Sequence, residues 1–295
     1  MRSLVIGNIT KDELVTGAGR GIAFGGASYA AVTAAKLGWG ARVVGKGNAE
    51  IEAWARRLRE WGIRVDVQPD EGLTHFLNDY SSEGRRQWLL SHTGRIGYDP
   101  SWEADIIHIN PMFGEVGAEE VERARGRCEL LSLDVQGFVR GAKGSRVIGR
   151  FWDGREAVLG HVDLLKIGRD EAELVSKRGD PLEACRELSG FGPEVVELTL
   201  GRRGSLVFAG RPYEVPAYGT REVDPTGAGD VYAAAFAIKY FECRDALEAG
   251  LFASAAASFA VEAFGTDGIA ERGRVEARYV ELRGAYEARA LGKRP

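Results

Sequence analysis

The stretch Val223-Asp224-Pro225-Thr226-Gly227-Ala228-Gly229-Asp230, running into Val231-Tyr232-Ala233-Ala234-Ala235-Phe236-Ala237, decides how the rest of the chain is read. A turn of small residues feeds a run of helix formers, with an aspartate at the junction. Gly227 and Gly229 permit close backbone approach, and the first-turn amides of the helix have no internal partners. Such a helix start is an anion site. An acid beside a phosphate loop has a use where it takes a proton. Asp230 can accept one from an attacking hydroxyl while the amides of Gly227, Ala228 and Gly229 hold the moving phosphoryl oxygens. The competing reading makes Asp224, Thr226 or Asp230 an N-cap and the glycines a plain turn.

Upstream of this stretch the chain alternates. Asp105–Ile109, Leu130–Asp134, Val162–Ile167, Val195–Leu200 and Ser205–Phe208 are short apolar strand candidates. Helical stretches near Gly117–Arg125, Asp170–Val175 and Pro181–Ser189 separate several of them. The alternation predicts a mainly parallel sheet covered by helices on both faces. Leu4–Ile6, Arg42–Gly45 and Arg64–Val67 are further strands, with helices at Ala27–Leu37 and Glu50–Trp61. The last third reads as helix, over Asp230–Tyr240, Cys243–Glu262 and Arg274–Arg283. A β/α barrel is the competing topology. Thr10–Phe24 and Val65–Ser91 argue against it, because their short alternating strands lack crossover helices. Thr74–Tyr80 and Arg86–Ser91 form a hairpin pattern around the turn Ser81-Ser82-Glu83-Gly84. These two segments predict a small subsidiary sheet.

Composition bounds the function. The chain has 295 residues, 44% hydrophobic, with a net charge of −4, so no basic surface suggests nucleic acid or an anionic membrane. Cys128, Cys185 and Cys243 lie far apart and read as isolated thiols in a reducing compartment. The four histidines show no zinc spacing. A cytoplasmic location is the expectation, and the Ala-rich Leu251–Ala263 run reads as a buried helix rather than a membrane span. In an open sheet, ligands sit beyond the carboxyl ends of the strands. Gly7-Asn8, Asp134-Val135-Gln136, Thr199-Leu200-Gly201 and Gly227–Asp230 all fall there, which predicts one shared cleft. A dinucleotide-binding dehydrogenase is disfavoured, because Gly7-Asn8-Ile9 stands where its glycine fingerprint would.

With these residues in place, the chain resembles the ribokinase-like, or PfkB, family of carbohydrate kinases. Asp224-Pro225-Thr226-Gly227-Ala228-Gly229-Asp230 is similar to its carboxy-terminal signature. Gly25-Gly26-Ala27-Ser28-Tyr29-Ala30-Ala31, with Leu37-Gly38 downstream, is similar to its amino-terminal one. The resemblance implies a three-layer αβα fold with a small β-sheet lid over the acceptor site, the whole chain forming one kinase domain. It implies transfer of the ATP γ-phosphoryl group to a hydroxyl of a sugar, polyol or nucleoside. Asp230 would be the base and Gly227, Ala228 and Gly229 the anion hole. Thr199, Gly201 and Gly204 match a nucleotide-associated segment, and Ser258 lies in the small-residue stripe that would leave room for adenine. Asp12 matches the lid-side acid that binds acceptor hydroxyls, with Gly25 and Gly26 letting the acceptor approach the backbone. Asn8 and Gln136 are further candidate acceptor contacts.

Lys166 and Glu171 match the ends of a Lys-x-Asn-x-x-Glu pattern whose acid helps organise Mg²⁺ through water. Gly168 stands at that pattern's asparagine position, and Tyr29 with its neighbours replaces the asparagine often found after the double glycine. The set Gly7-Asn8, Gly25–Tyr29, Asp134-Val135-Gln136…Arg140 and Val223-Asp224-Pro225 looks closest to a myo-inositol kinase branch. Ribose, fructose, 2-keto-3-deoxygluconate or a nucleoside are the alternative acceptors, and a non-catalytic sugar- or nucleotide-binding regulator the alternative class. A monomer or a homodimer paired through lid strands would suit the fold.

Overall fold

In a computed structural model, residues 1–16, 19–81 and 86–290 are described. Fifteen strands and ten α-helices follow one another among them. The first part runs β1 (Arg2–Ile6), β2 (Ile9–Thr16), β3 (Gly19–Gly26), α1 (Ala27–Lys36), β4 (Gly40–Gly47), α2 (Ala49–Glu60), β5 (Arg64–Pro69), β6 (His75–Asp79) and β7 (Arg86–Ser91). The middle runs β8 (Ile106–Ile109), α3 (Ala118–Arg125), β9 (Leu130–Asp134), α4 (Gln136–Val139), β10 (Arg140–Lys143), β11 (Arg146–Gly149), α5 (Arg155–Leu159), β12 (Leu164–Gly168), α6 (Arg169–Ser176) and α7 (Pro181–Ser189). The last part is β13 (Val195–Thr199), β14 (Ser205–Phe208), β15 (Pro212–Val215), α8 (Ala228–Cys243), α9 (Ala246–Ala260) and α10 (Arg272–Ala290).

Nine strands form an open sheet in the order β15-β14-β13-β12-β9-β8-β1-β4-β5, parallel from β13 to β5 and antiparallel at β14 and β15. An open sheet with two edges rules out the barrel. The period of two along each strand divides the core. Val5, Val43, Ile106, Leu130, Leu164 and Val195 pack on one face with α1, α2, α8 and α9. Leu4, Val44, Ile107, Leu131, Leu165 and Val196 pack on the other with α3, α5, α6 and α7. The fold is therefore the three-layer α/β architecture. No described helix is long and apolar enough to cross a membrane.

A second sheet, β10-β11-β7-β6-β2-β3, forms the lid. Its composition differs from the expected segments in two ways. The stretch 65–69, expected in the lid, pairs in parallel with β4 as the edge of the main sheet. The Val65 side chain is buried there, and α2, the helix expected at Glu50–Trp61, is the crossover from β4. Conversely, the β10–β11 hairpin joins the lid through Arg146 opposite Trp88. Of the turn expected at 81–84, only Ser81 lies within the described residues, and of the segment expected at Thr10–Phe24, residues 17 and 18 lie outside them.

Candidate active site

The face of the main sheet that packs against α8 begins apolar and becomes polar toward the carboxyl ends. Stepping by two, Ile106 leads to His108 and Asn110, Leu130 to Ser132 and Asp134, Leu164 to Lys166, and Val195 to Glu197 and Thr199. These polar side chains lie under the amino-terminal turn of α8, where Asp230 sits. Asp230 Oδ1 accepts from Asn110 Nδ2 and from Gln136 Nε2, each at 2.9 Å. Gln136 Nε2 also donates to Asn110 Oδ1, and Arg140 Nη2 donates to Gln136 Oε1 at 2.6 Å. Two amides and a guanidinium thus hold the carboxylate in one orientation. Although the residue remains partly open to the cleft, its surroundings desolvate the carboxyl, and the nearby Asp134 charge adds to this. Together they push its pKa up to about 6 against the opposing pull of Lys166, Asn110 and Arg140.

Lys166 is 6% exposed and its Nζ lies 2.9 Å from Asp134 Oδ2. Burial works against its charge, but Asp134, then Glu171 and Asp230, outweigh burial and hold the ammonium above its ordinary range. A Cβ on Gly229 would fall 3.1 Å from that Nζ, so the cation lies directly beneath the glycine loop. Gly227 has φ 80°, and a Cβ there would lie 2.4 Å from the Tyr29 ring. This position takes glycine for both its backbone and its space. The α8 amino terminus, whose Ala228 amide turns back to the Pro225 carbonyl at 3.3 Å, and the buried ammonium below it make a compact electropositive seat for phosphoryl oxygens.

Two cavities meet at this loop. One of about 460 Å³ lies on the Ala228–Gly229 side and is lined by Thr199, Gly201, Gly204, Tyr218, Ala257 and Ser258 among others. The other, of about 40 Å³, lies under the lid on the Gly227–Asp230 side, lined by Asp12, Gly26, Tyr29, Phe76, Gln136 and Arg140 among others. Tyr80, at the end of β6, reaches across from the lid, with its hydroxyl 2.9 Å from Thr226 Oγ1.

The expected site residues sort accordingly. Asp12 is buried in the smaller cavity, accepting from Thr10 Oγ1 at 2.8 Å and Asn78 Nδ2 at 3.1 Å. Gly26 borders that cavity, and a Cβ on Gly25, one residue before it, would lie 2.6 Å from Asp12 Oδ2. Thr199, Gly201, Gly204 and Ser258 line the larger cavity, with Ser258 Oγ accepting from Arg278 Nη1.

Asn8 is set apart from these residues. It is fully buried, its Nδ2 donates to Thr74 and Thr93 hydroxyls, and its Oδ1 accepts from the Lys46 amide. Its side chain thus ties together three segments, and it lies outside the lining of the smaller cavity. Gln136 borders the cavity, but both its amide donors go to Asp230 and Asn110, so it orients the acid. Glu171 spends Oε2 on the Gly168 amide at 2.6 Å, and a Cβ on residue 168 would lie 2.9 Å from that oxygen. The glycine at this position is what lets the glutamate fold back to cap α6.

Asn110 was missed. Its signal was an asparagine directly after the apolar run Ile106–Ile109, at a strand end like the others. Glu197 was missed as well. It is fully buried beside Lys166 in the β12–β13 register, and burial pushes its carboxyl well above the usual range.

Comparison with known proteins bears on this cleft. Residues 139–272 match the pfkB family carbohydrate kinases. A nucleoside kinase of Methanothermobacter thermautotrophicus is 36% identical over 255 residues, covering 82% of this chain and 79% of the relative. The chain belongs to the pfkB family of carbohydrate kinases. It is an enzyme of that family, a kinase that transfers a phosphoryl group to a small molecule. Two solved structures of this pfkB type resemble it over their whole length. A pyrophosphate-dependent kinase of the ribokinase family, complexed with a pyrophosphate analogue and myo-inositol, has a TM-score of 0.83 and 29% identity, with 93% of this chain and 99% of that one covered. A pyrophosphate-dependent myo-inositol-1 kinase converted into a myo-inositol-3 kinase by mutation has a TM-score of 0.82 and 27% identity, with 95% and 99% covered.

Proposed function

We propose that this pfkB-family kinase transfers the γ-phosphoryl group of ATP to a hydroxyl of a cyclic polyol, with myo-inositol the first choice. The observation that carries the reading is the pair of cavities on either side of the Gly227–Asp230 turn, one large and one small. In the small cavity Asp12 accepts hydrogen bonds from acceptor hydroxyls, and Asp230 takes the proton of the attacking one. General-base help of this kind contributes ~10²–10⁴-fold. The amides of Gly227, Ala228 and Gly229, with Lys166 beneath, offset charge on the moving phosphoryl group. The larger cavity, beyond Thr199, Gly201 and Gly204, accommodates the nucleoside of the donor. Lid closure through Tyr80 and Thr226 excludes water as a competing acceptor.

At about 40 Å³ the acceptor cavity has room for roughly three waters at 10–15 Å³ each. The lid must give slightly for any acceptor, and a single ring needs less than a nucleoside does. Among the described residues no three metal-ligating side chains cluster. Magnesium therefore fits as an ion carried on the donor phosphates, with Glu171 acting on its water shell.

Two second readings have specific support. The 36% identical nucleoside kinase favours a nucleoside acceptor, and the two solved structures favour pyrophosphate as donor. A coupled assay crossing ATP and pyrophosphate with myo-inositol, ribose, fructose, 2-keto-3-deoxygluconate and cytidine separates them. Turnover of myo-inositol with ATP is expected. Turnover of cytidine alone would overturn the acceptor, and turnover with pyrophosphate alone the donor.

A further inference from the structure

Tyr29 stands in the first turn of α1 with 1% of its surface exposed, and it lines the acceptor cavity. Its ring is wedged between two glycines. A Cβ on Gly25 would lie 2.8 Å from Tyr29 Cε2, and a Cβ on Gly227 2.4–2.5 Å from the other side of the ring. The hydroxyl at the end of this fixed ring has no hydrogen-bond partner among the described residues. Among the described side chains lining the cavity, it is the one that leaves a buried polar atom unsatisfied. A buried hydroxyl without a partner costs stability, and a ligand that accepts from it would offset that cost. Burial, with Asp12, Asp224 and Asp230 facing it, keeps the phenol protonated, so it can donate.

Asp12 supplies the complement. Its Oδ2 and the Tyr29 ring edge converge above Gly25, 2.6 and 2.8 Å from one and the same point. A carboxylate only accepts, a protonated phenol can donate, and an alcohol hydroxyl does both.

We propose that Tyr29 is a specificity-determining residue of the acceptor site, its O–H donating to the acceptor hydroxyl that itself donates to Asp12. This pairing selects a carbinol. A deoxy position forfeits both bonds, and a ketone forfeits the one to Asp12. The inference rests on the smaller cavity being the acceptor site. The position contacted is distinct from the hydroxyl that attacks, which Asp230 serves.

The test uses the full chain and the variant Tyr29→Phe, with myo-inositol and its mono-deoxy and keto analogues. The acceptor KM should rise about 5- to 30-fold while the donor KM stays within twofold. Discrimination against the analogue deoxygenated at the contacted position should shrink by the same factor. The melting temperature should not fall, because the variant removes an unsatisfied hydroxyl and keeps the ring. An unchanged acceptor KM with undiminished discrimination would overturn the proposal. So would a lower melting temperature with parallel rises in both KM values, since that marks the tyrosine as a packing wedge only. Failure of the wild type to phosphorylate myo-inositol would overturn the polyol reading instead. Tyr29→Phe is then compared on whichever acceptor the wild type does use, by the same criteria.

Discussion

Replacing Asp230 with asparagine should make the protein more stable and nearly inactive. The carboxyl is held at about 6 against an ordinary 3.8, burial being the main cause and Asp134 the second. At ~1.36 kcal/mol per pKa unit, the folded state gives up at most about 3 kcal/mol to keep this group ionised at pH 7. Because the residue stays partly open to the cleft, about 1–3 kcal/mol is the working figure. Asparagine removes the charge, and its own oxygen still accepts from Asn110 and Gln136. For a chain of this length the gain corresponds to roughly 2–5 °C in melting temperature. The sign fixes the window. Between about pH 4 and pH 6 the folded wild type holds a proton that the unfolded chain has released, so its stability falls as pH rises through this interval. The variant's advantage is therefore absent below about pH 4, grows to about pH 6 and is constant above. Calorimetry at pH 4, 5, 6 and 7 reads that difference, and saturating assays should show turnover lower by about 10²-fold or more. A variant no more stable than wild type at pH 7 would refute the buried-charge argument. Turnover within a few-fold of wild type would refute Asp230 as the base.

Further outcomes follow from the same geometry. Asp12→Ala should raise the acceptor KM by about 10–150-fold, the worth of a charge-assisted hydrogen bond, with the donor dissociation constant nearly unchanged by calorimetry. A loss of donor affinity alone would reverse the orientation of the cleft. Tyr80→Phe removes the link to Thr226 and should lower kcat/KM by up to about tenfold with little change in melting temperature; equal kcat/KM would show that the lid closes without it. Lys166→Met leaves Asp134 buried without its ion-pair partner and should cost about 3–5 kcal/mol by urea denaturation. It should also move the acidic limb of the pH–rate profile above its expected position near 6, because Lys166 lowers the Asp230 pKa; an unmoved limb would sever the two groups.

Much of this was legible in the sequence because its causes are local. Apolar runs of four to six residues alternating with helices gave the covered sheet, and the helix expected at Pro181–Ser189 is α7, with Asp180 capping the Glu183 amide at its start. The glycine-rich turn gave the start of α8. What the sequence leaves open depends on distant partners. Asn8 carries the polar character of a ligand contact, yet its amide is consumed by Thr74 and Thr93, 66 and 85 residues away. Arg64–Val67 looks like its lid neighbours in composition, and only pairing with β4 assigns it to the main sheet. The β10–β11 hairpin has little apolar alternation to announce it, since its strands carry Arg140, Lys143 and Arg146 and its turn is made by Gly144 at φ 60°.

The polar ladder beneath α8 joins the legible and the hidden parts. Each strand alone shows a polar residue two places after an apolar one, which is unremarkable in any half-buried strand. Parallel register then aligns His108 with Ser132, Asp134 with Lys166, and Lys166 with Glu197. The charges so aligned lie on the face that packs on α8, under its amino-terminal end. A parallel sheet points its carboxyl ends and the amino termini of the following helices to the same edge, so acids from strands and amides from helices meet there. One lysine in that row neutralises Asp134, lowers the pKa of Asp230 and lies under Gly229, where phosphate oxygens would gather. Period, register and helix direction are each elementary. Their intersection is the cleft.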